Sequence, residues 1–267
     1  MSRLLPSQVA IAVPCYGEVQ QIEGLASSLD ALDSAPGALL AVDDGSVDGT
    51  AAALKHSIFD VSLHPENLGL GAARNTLWRR AQSLGFTAVA FLDADVWPPP
   101  DYLDRVCSLL EEDRVAGVGG CNVDEDPSTW VDAWRGRFWP QSLGSSRLMD
   151  APMLVGACAT YRIGALEEVG GFNPLFRTHG EDVEIGRRLR SQGQRLLYEP
   201  DLVVTHVRRD RPSELLLHCF RHCRGGMRAT LGTPGDDPRP SALVLGMVRK
   251  GVRAPAAALV RRRDPKE

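Results

Sequence analysis

The chain has 267 residues, 43% of them hydrophobic, and a formal net charge of −4 at pH 7. That is enough apolar material for one sizeable α/β domain with additions, and the acidic balance excludes nucleic-acid binding through overall charge. Without an apolar signal core at the N-terminus or a run long enough to span a bilayer, and with six scattered cysteines in apolar surroundings, the sequence reads as cytoplasmic with reduced thiols.

In chain order, Val9–Val13 is a short apolar run ending at Pro14, a first buried strand, and Pro14-Cys15-Tyr16-Gly17-Glu18 is the loop after it. Ile22, Leu25, Ala26, Leu29 and Leu32 recur at helical spacing, and Pro36-Gly37 closes that helix. Ala38–Val42 is a second strand that runs into Asp43-Asp44-Gly45-Ser46, and a helix follows with Asp48 or Ser46 as its cap. Asp60–Leu63 is a short third strand, Gly69–Leu84 a third helix, and Ala88–Val96 a fourth strand that carries Asp93-Ala94-Asp95. The order β-α-β-α-β-α-β predicts a mostly parallel, doubly wound sheet flanked by helices. No G-x-G-x-x-G follows the first strand, which argues against a Rossmann dinucleotide site.

Three strands of such a sheet would end in polar clusters along one edge, where open α/β sheets bind ligands. A buried strand has little reason to end in two carboxylates unless a cation or hydroxyl meets them. Mg²⁺ and Mn²⁺ prefer such oxygen ligands and keep bridging phosphates. The plainer reading is a turn, since Asp is common at strand ends and Pro98-Pro99-Pro100 follows. Asp44 can accept from an imino N–H on a base edge, and Asp43 can serve the turn alone. Tyr16 offers a flat apolar face. Arg74 fits either a base or phosphate contact or an ordinary solvated helix charge.

Further on, Tyr102–Leu110 reads as a helix, Val115–Val118 as a strand, and Asn122–Met149 as a loop-rich stretch with Trp130, Trp134, Phe138 and Trp139. Those aromatics suit an acceptor platform or, more simply, a second small core. Leu154–Tyr161, Arg195–Tyr198 and Leu202–Thr205 read as strands. A helix begins at Gly180-Glu181-Asp182-Val183-Glu184, where carboxylates also serve as caps. His218, Cys219, His222 and Cys223 look metal-like, but four ligands on one helical ribbon cannot easily surround one tetrahedral ion. Arg221, Arg224 and Arg228 share a helical face that suits a diphosphate or an acidic acceptor. Ser241–Glu267 holds seven basic and two acidic residues, and Leu243–Arg263 reads either as a basic amphipathic segment for an anionic membrane surface or as a docked helix with a solvated end.

Together, VPCYGE, VDDGSVDGT, ENLGLGAARN, FLDAD and VGGFNPLFRTHGEDVEIGRRLRSQG resemble the GT-A fold, inverting glycosyltransferase family 2, over about Val9 to Val207. The resemblance implies a nucleotide-sugar donor and a divalent metal, Mg²⁺ or Mn²⁺. It implies a donor contact in the first loop, where Glu18 is kept, Asp44 on the base, and Asp93 on the ribose or sugar; Pro14, Tyr16 and Arg74 are the further candidate donor contacts read from the residues themselves. It further implies Asp95 and His206 on the metal, and Asp182 as general base with Glu181 touching the acceptor or bracing it. The family commonly reads Tyr-Asn-Glu in the first loop, where this chain has Tyr16-Gly17-Glu18. On this reading residues 1–210 form the transferase domain, with a nucleotide-binding half at about 8–97 and an acceptor half at about 98–210. Residues 211–267 form a helical, basic extension. The acceptor is a glycan, a lipid-linked sugar or a small molecule, and the basic tail allows peripheral membrane contact.

Other classes fit less well. An aspartyl-phosphate phosphatase built on Asp93 needs a lysine downstream, and the only lysines are Lys55, Lys250 and Lys266. A sugar-1-phosphate nucleotidyltransferase needs a glycine-rich basic loop after the first strand. A non-catalytic sugar-nucleotide-binding module would more readily lack Asp95, Asp182 or His206, and all three are present.

Overall fold

The computed structural model describes residues 3–112, 115–124, 129–138, 140–207 and 211–231. Strand side chains point alternately to opposite faces, and β1 (Val9–Cys15) shows what that builds: Val9, Ile11, Val13 and Cys15 enter one core, while Ala10 and Ala12 enter the other. The first core is closed by α1 (Ile22–Asp30), α2 (Thr50–Lys55) and α4 (Tyr102–Leu110). The second is closed by α3 (Leu70–Ser83), α6 (Ile163–Glu168) and α7 (Glu181–Ser191).

The layer between them is one sheet. Its further strands are β2 (Ala38–Asp43), β3 (Asp60–Leu63), β4 (Ala88–Leu92), β5 (Val96–Trp97), β6 (Val115–Asp124), β7 (Cys158–Arg162) and β8 (Arg195–His206), in the order β3-β2-β1-β4-β7-β6-β8-β5. The β3-β2-β1-β4 half is parallel, as the alternation of strands and helices predicts, and β6 and β8 are parallel to each other. The sheet as a whole is mixed, because β7 runs antiparallel to both β4 and β6, and β5 antiparallel to β8. β7 enters from the edge where β4 ends, with Leu92 paired to Cys158, so it has to run back. β1, β2, β4, β6 and β8 thus present their carboxyl ends along one edge. Strand order reverses between β1 and β4, the switch point at which open sheets bind ligands.

Three local readings need correction. The two short strands at Arg195–Tyr198 and Leu202–Thr205 are one strand, β8. Pro200 cannot donate to a ladder; the pairing with β6 jumps from Gly119–Tyr198 to Cys121–Val203, so the proline lies in a bulge and does not end the strand. β6 does not stop at Val118 but continues to Asp124, because Cys121–Asp124 pair with Val203–His206. Leu154–Ala157 lies outside β7.

α5 (Trp130–Phe138) packs on α8 (Pro212–Leu231) through Val131, Leu215 and Cys219, with Trp134 against them. This is a separate small core beside the two that flank the sheet, and Trp130 stays exposed outside it. The Phe138 side chain, Trp139 and the basic segment Leu243–Arg263 lie outside the described residues. All six cysteines are free and buried. Among the described residues no helix is long and apolar enough to cross a membrane.

Candidate active site

A cavity of ≈ 530 Å³ opens at the switch point. Pro14, Tyr16, Glu18, Arg74, Asp93, Asp95, Glu181, Asp182 and His206 all line it, from segments spread over 190 residues of sequence. Of the residues expected at the site, Asp44 alone does not.

The first loop is fastened to the turn after β2: the Gly17 N–H donates to Ser46 Oγ at 2.9 Å and the Glu18 N–H to Thr50 Oγ1 at 2.9 Å. Gly17 sits at φ 75° with open space where a Cβ would be. Asn also tolerates the left-handed region, so the backbone turn survives while this chain lacks the amide. Tyr16 is exposed beside it and presents its ring to the cavity.

Asp44 is buried and occupied. It accepts from the N–H groups of Leu68 (2.9 Å) and Gly69 (2.8 Å), and His64 Nδ1 lies 2.6 Å from its Oδ1. His64 Nε2 in turn lies 2.9 Å from the Thr76 hydroxyl. Asp44 therefore ties the loop that leads into α3 to the end of β2. Asp43 has the turn role open to it, accepting from Ser46 N–H at 3.2 Å.

Arg74, on α3, is not a solvated helix charge. It is buried, and its Nη1 donates to Glu181 Oε1 at 2.6 Å. Its Nη2 donates to the Gly156 carbonyl at 2.9 Å and more loosely to Asp93 at 3.4 Å. The guanidinium lies 5.7 Å from the ring centre of Phe91 and 5.6 Å from that of Phe172. Burial works against its charge, but Glu181, Asp93 and Asp182 outweigh that and hold it charged. The same burial, with Asp182 alongside, pushes the Glu181 carboxyl up to about 8 although Arg74 pulls it down. Asp182 is half-buried and turned to the cavity, and its Oδ1 accepts from Val183 N–H at 2.8 Å.

His206, also on the cavity lining, has Nε2 3.4 Å from Asp95 Oδ2, and its Nδ1 donates to Asp124 Oδ1 at 2.9 Å. Arg135 Nη2 donates to the same Asp124 oxygen at 2.8 Å. Burial would lower the imidazole, but hydrogen bonds to Asp124 and Asp95 push it up to about 9. Against the effect of its own burial, Asp124 is held below the usual carboxylate range by His206 and Arg135.

This arrangement suits a divalent cation. Two cis ligands of an octahedral ion at about 2.1 Å stand roughly 3 Å apart, close to the Asp95–His206 separation. A carboxylate on the far nitrogen is the usual way a ligand imidazole is oriented. Among the described residues no three His, Cys, Asp or Glu side chains are arranged to hold a metal alone, so an ion here would need further ligands from a bound molecule or water. The His218–Cys223 motif accordingly forms no such centre. His218 and His222 instead face the cavity, with His179 4.5 Å from His222 ring to ring. Arg221, Arg224 and Arg228 do share a face, but it does not line the cavity.

Asp124, Arg135, His64 and His179 escaped the sequence reading. Asp124 carries a usable signal, a carboxylate ending an apolar strand, but the apolar run on its own reads as ending at Val118.

Residues 10–170 match the family model for glycosyl transferase family 2. The chain belongs to that family. Its sheet and flanking helices have the family's GT-A architecture: a mannosyltransferase from Pyrobaculum calidifontis, PcManGT, solved with GDP-Man and Mn²⁺, superimposes with a TM-score of 0.66 at 22% identity over 95% of this chain and 75% of that one. S. aureus TarS 1–349 with UDP-GlcNAc superimposes at 0.60, with 16% identity over 91% and 72%. Among curated family relatives, the pre-mycofactocin glycosyltransferase of Mycobacterium tuberculosis is 29% identical over 253 residues, 89% of this chain. The chain spans about half the length of that relative, the alignment covering 50% of it. The N-acetylglucosaminyl-diphospho-decaprenol L-rhamnosyltransferase of the same organism is 26% identical over 256 residues, 82% of each chain.

Proposed function

We propose that this family 2 chain is an inverting, metal-dependent glycosyltransferase that moves a sugar from a nucleoside-diphosphate donor to an acceptor hydroxyl. One observation carries the reading: a single cavity is lined by Asp95 and His206, the latter backed by Asp124 from outside the lining, and also by Asp182, Asp93, Arg74 and Glu181. Asp95 and His206 would hold Mg²⁺ or Mn²⁺, and the bound ion would neutralise charge growing on the leaving diphosphate. Tyr16 supplies a flat face for the base and Asp93 reaches the ribose or sugar. Asp44 holds the loop into α3 through three accepted bonds, and the lone pair left on its Oδ2 is the one that would accept from an imino N–H of the base. Asp182 accepts the acceptor proton as the hydroxyl attacks from the face opposite the diphosphate. Glu181 braces it through Arg74.

Relatives support the donor class and suggest the acceptor. Solved neighbours hold GDP-Man with Mn²⁺ or UDP-GlcNAc, and one curated relative is named for a lipid-linked acceptor. A phosphatase reading has Arg74 beside Asp93 and no lysine in the cavity wall.

Asp182→Asn should bind donor and Mn²⁺ almost normally by calorimetry yet lose transfer by on the order of a hundredfold or more, the usual cost of removing a general base. Near-normal transfer would take the role from Asp182. No transfer or donor hydrolysis by the parent chain, over a panel of nucleotide sugars with Mn²⁺ or Mg²⁺, would leave a binding module instead.

A further inference from the structure

Helix α8 has two opposed faces. At 3.6 residues per turn, Leu215, His218, Cys219, His222 and Gly226 fall on one side, and these residues line the cavity. Leu216, Leu217, Phe220, Arg221, Arg224 and Arg228 fall on the opposite side. There Leu216 is 65% exposed, Leu217 45% and Phe220 40%, an unusual grouping of large apolar side chains on a single turn. Arg221 is exposed directly after them, and Arg224 and Arg228, half-buried and engaged in contacts of their own, lie on the same side. Glu214, in the first turn, is the helix's only acidic residue. Trp130, 69% exposed, stands at the start of α5, which packs against α8.

We propose that this outer stripe of α8 docks on an anionic lipid bilayer, with Leu216, Leu217 and Phe220 dipping into the interface and the arginines meeting headgroup phosphates. Interfacial helices combine these two features, an apolar face and flanking Lys or Arg, and lie in the membrane plane. The charge favours a bilayer over a second copy of the chain. An isologous contact through the stripe would bring two arginine rows together, and the sequence after α8 adds seven basic residues against two acidic in Ser241–Glu267. The rest of the molecule is acidic enough to make the whole chain −4, so the positive charge is concentrated on this side of the sequence. Docking in this way would place the cavity-lining face of the same helix close to the membrane surface. The surface stands on its own whether or not the chain transfers sugar, because vesicle binding needs no donor.

The test is flotation of the full chain with vesicles of phosphatidylglycerol and phosphatidylcholine, against phosphatidylcholine alone, at low and high salt. The parent should float with the anionic vesicles and be released by salt. Leu216→Ser with Phe220→Ser should reduce partitioning by about tenfold or more, as expected for withdrawing two large side chains from the interface. Leu217→Gln is the second arm, checked like the first by circular dichroism for an intact fold. Unchanged partitioning in both variants would overturn the proposal, including the case in which binding is lost only when Arg261, Arg262 and Arg263 are neutralised. A dimer in the parent that both variants dissolve, with no vesicle binding, would assign the face to a second copy instead.

Discussion

Replacing Glu181 with Gln should change how stability depends on pH, with little effect at low pH and a growing one as pH rises. The carboxyl is buried, one oxygen accepts from Arg74 at 2.6 Å, and the other is buried with no hydrogen-bond partner. Burial and Asp182 raise it from 4.5 to about 8. A carboxyl whose folded value lies above its unfolded one binds its proton more tightly in the folded chain. Its contribution is therefore fully present below pH 4.5 and is lost as pH rises toward 8. At about 1.4 kcal/mol per pH unit, that gap corresponds to a loss on the order of 5 kcal/mol across the window. Gln cannot titrate, and its carbonyl can still accept from Arg74. Urea midpoints taken from pH 5 to pH 8 should therefore fall more steeply for the parent than for Glu181→Gln, with the difference concentrated above pH 5. Comparing the two chains cancels His206, whose raised value gives a slope of the same sign. Parallel profiles, or a parent that gains stability relative to Glu181→Gln as pH rises, would refute the burial argument.

Two further outcomes follow from the geometry. Asp124→Asn should weaken Mn²⁺ binding by about 10- to 100-fold, measured by calorimetry with donor diphosphate present, because it removes the carboxylate that orients His206; unchanged affinity would mean that the imidazole needs no such support. Gly180→Ala should lower stability by about 1–3 kcal/mol in urea unfolding, since Gly180 sits at φ 92° and an added Cβ would fall 2.4 Å from the Gly225 carbonyl oxygen on α8; an unshifted midpoint would show that α7 and α8 can separate there at no cost.

The parts legible in the sequence were those in which a short apolar run meets a polar end. β1, β2 and β4 were read from such runs, and parallel pairing alone was enough to bring Tyr16, the Asp43-Asp44 turn and Asp93 to one edge. What escaped depends on contacts between distant segments. Nothing local distinguishes Arg74 from an exposed arginine; it is buried because Glu181, Asp93 and the Gly156 carbonyl, up to 107 residues away in sequence, converge on it. β8 hid its continuity behind Pro200, which a bulge accommodates. The break assigned within β6 concealed Asp124, and with it the orientation of His206.

The same long-range contacts separate the two neighbouring carboxyls at the start of α7. Placed side by side, Glu181 and Asp182 cannot both carry charge cheaply in a buried site. Glu181 faces inward, spends one oxygen on Arg74 and is raised to about 8, so near neutral pH it already holds a proton and has little capacity to accept another. Asp182 is turned toward the cavity, and among the described residues only one of its oxygens is engaged, by the adjacent Val183 N–H. Arg74 fixes the Glu181 carboxyl through one oxygen and so sets the backbone position of the adjacent Asp182; on the proposed mechanism a change at Arg74 should alter kcat through Asp182 even though Arg74 need not touch the acceptor.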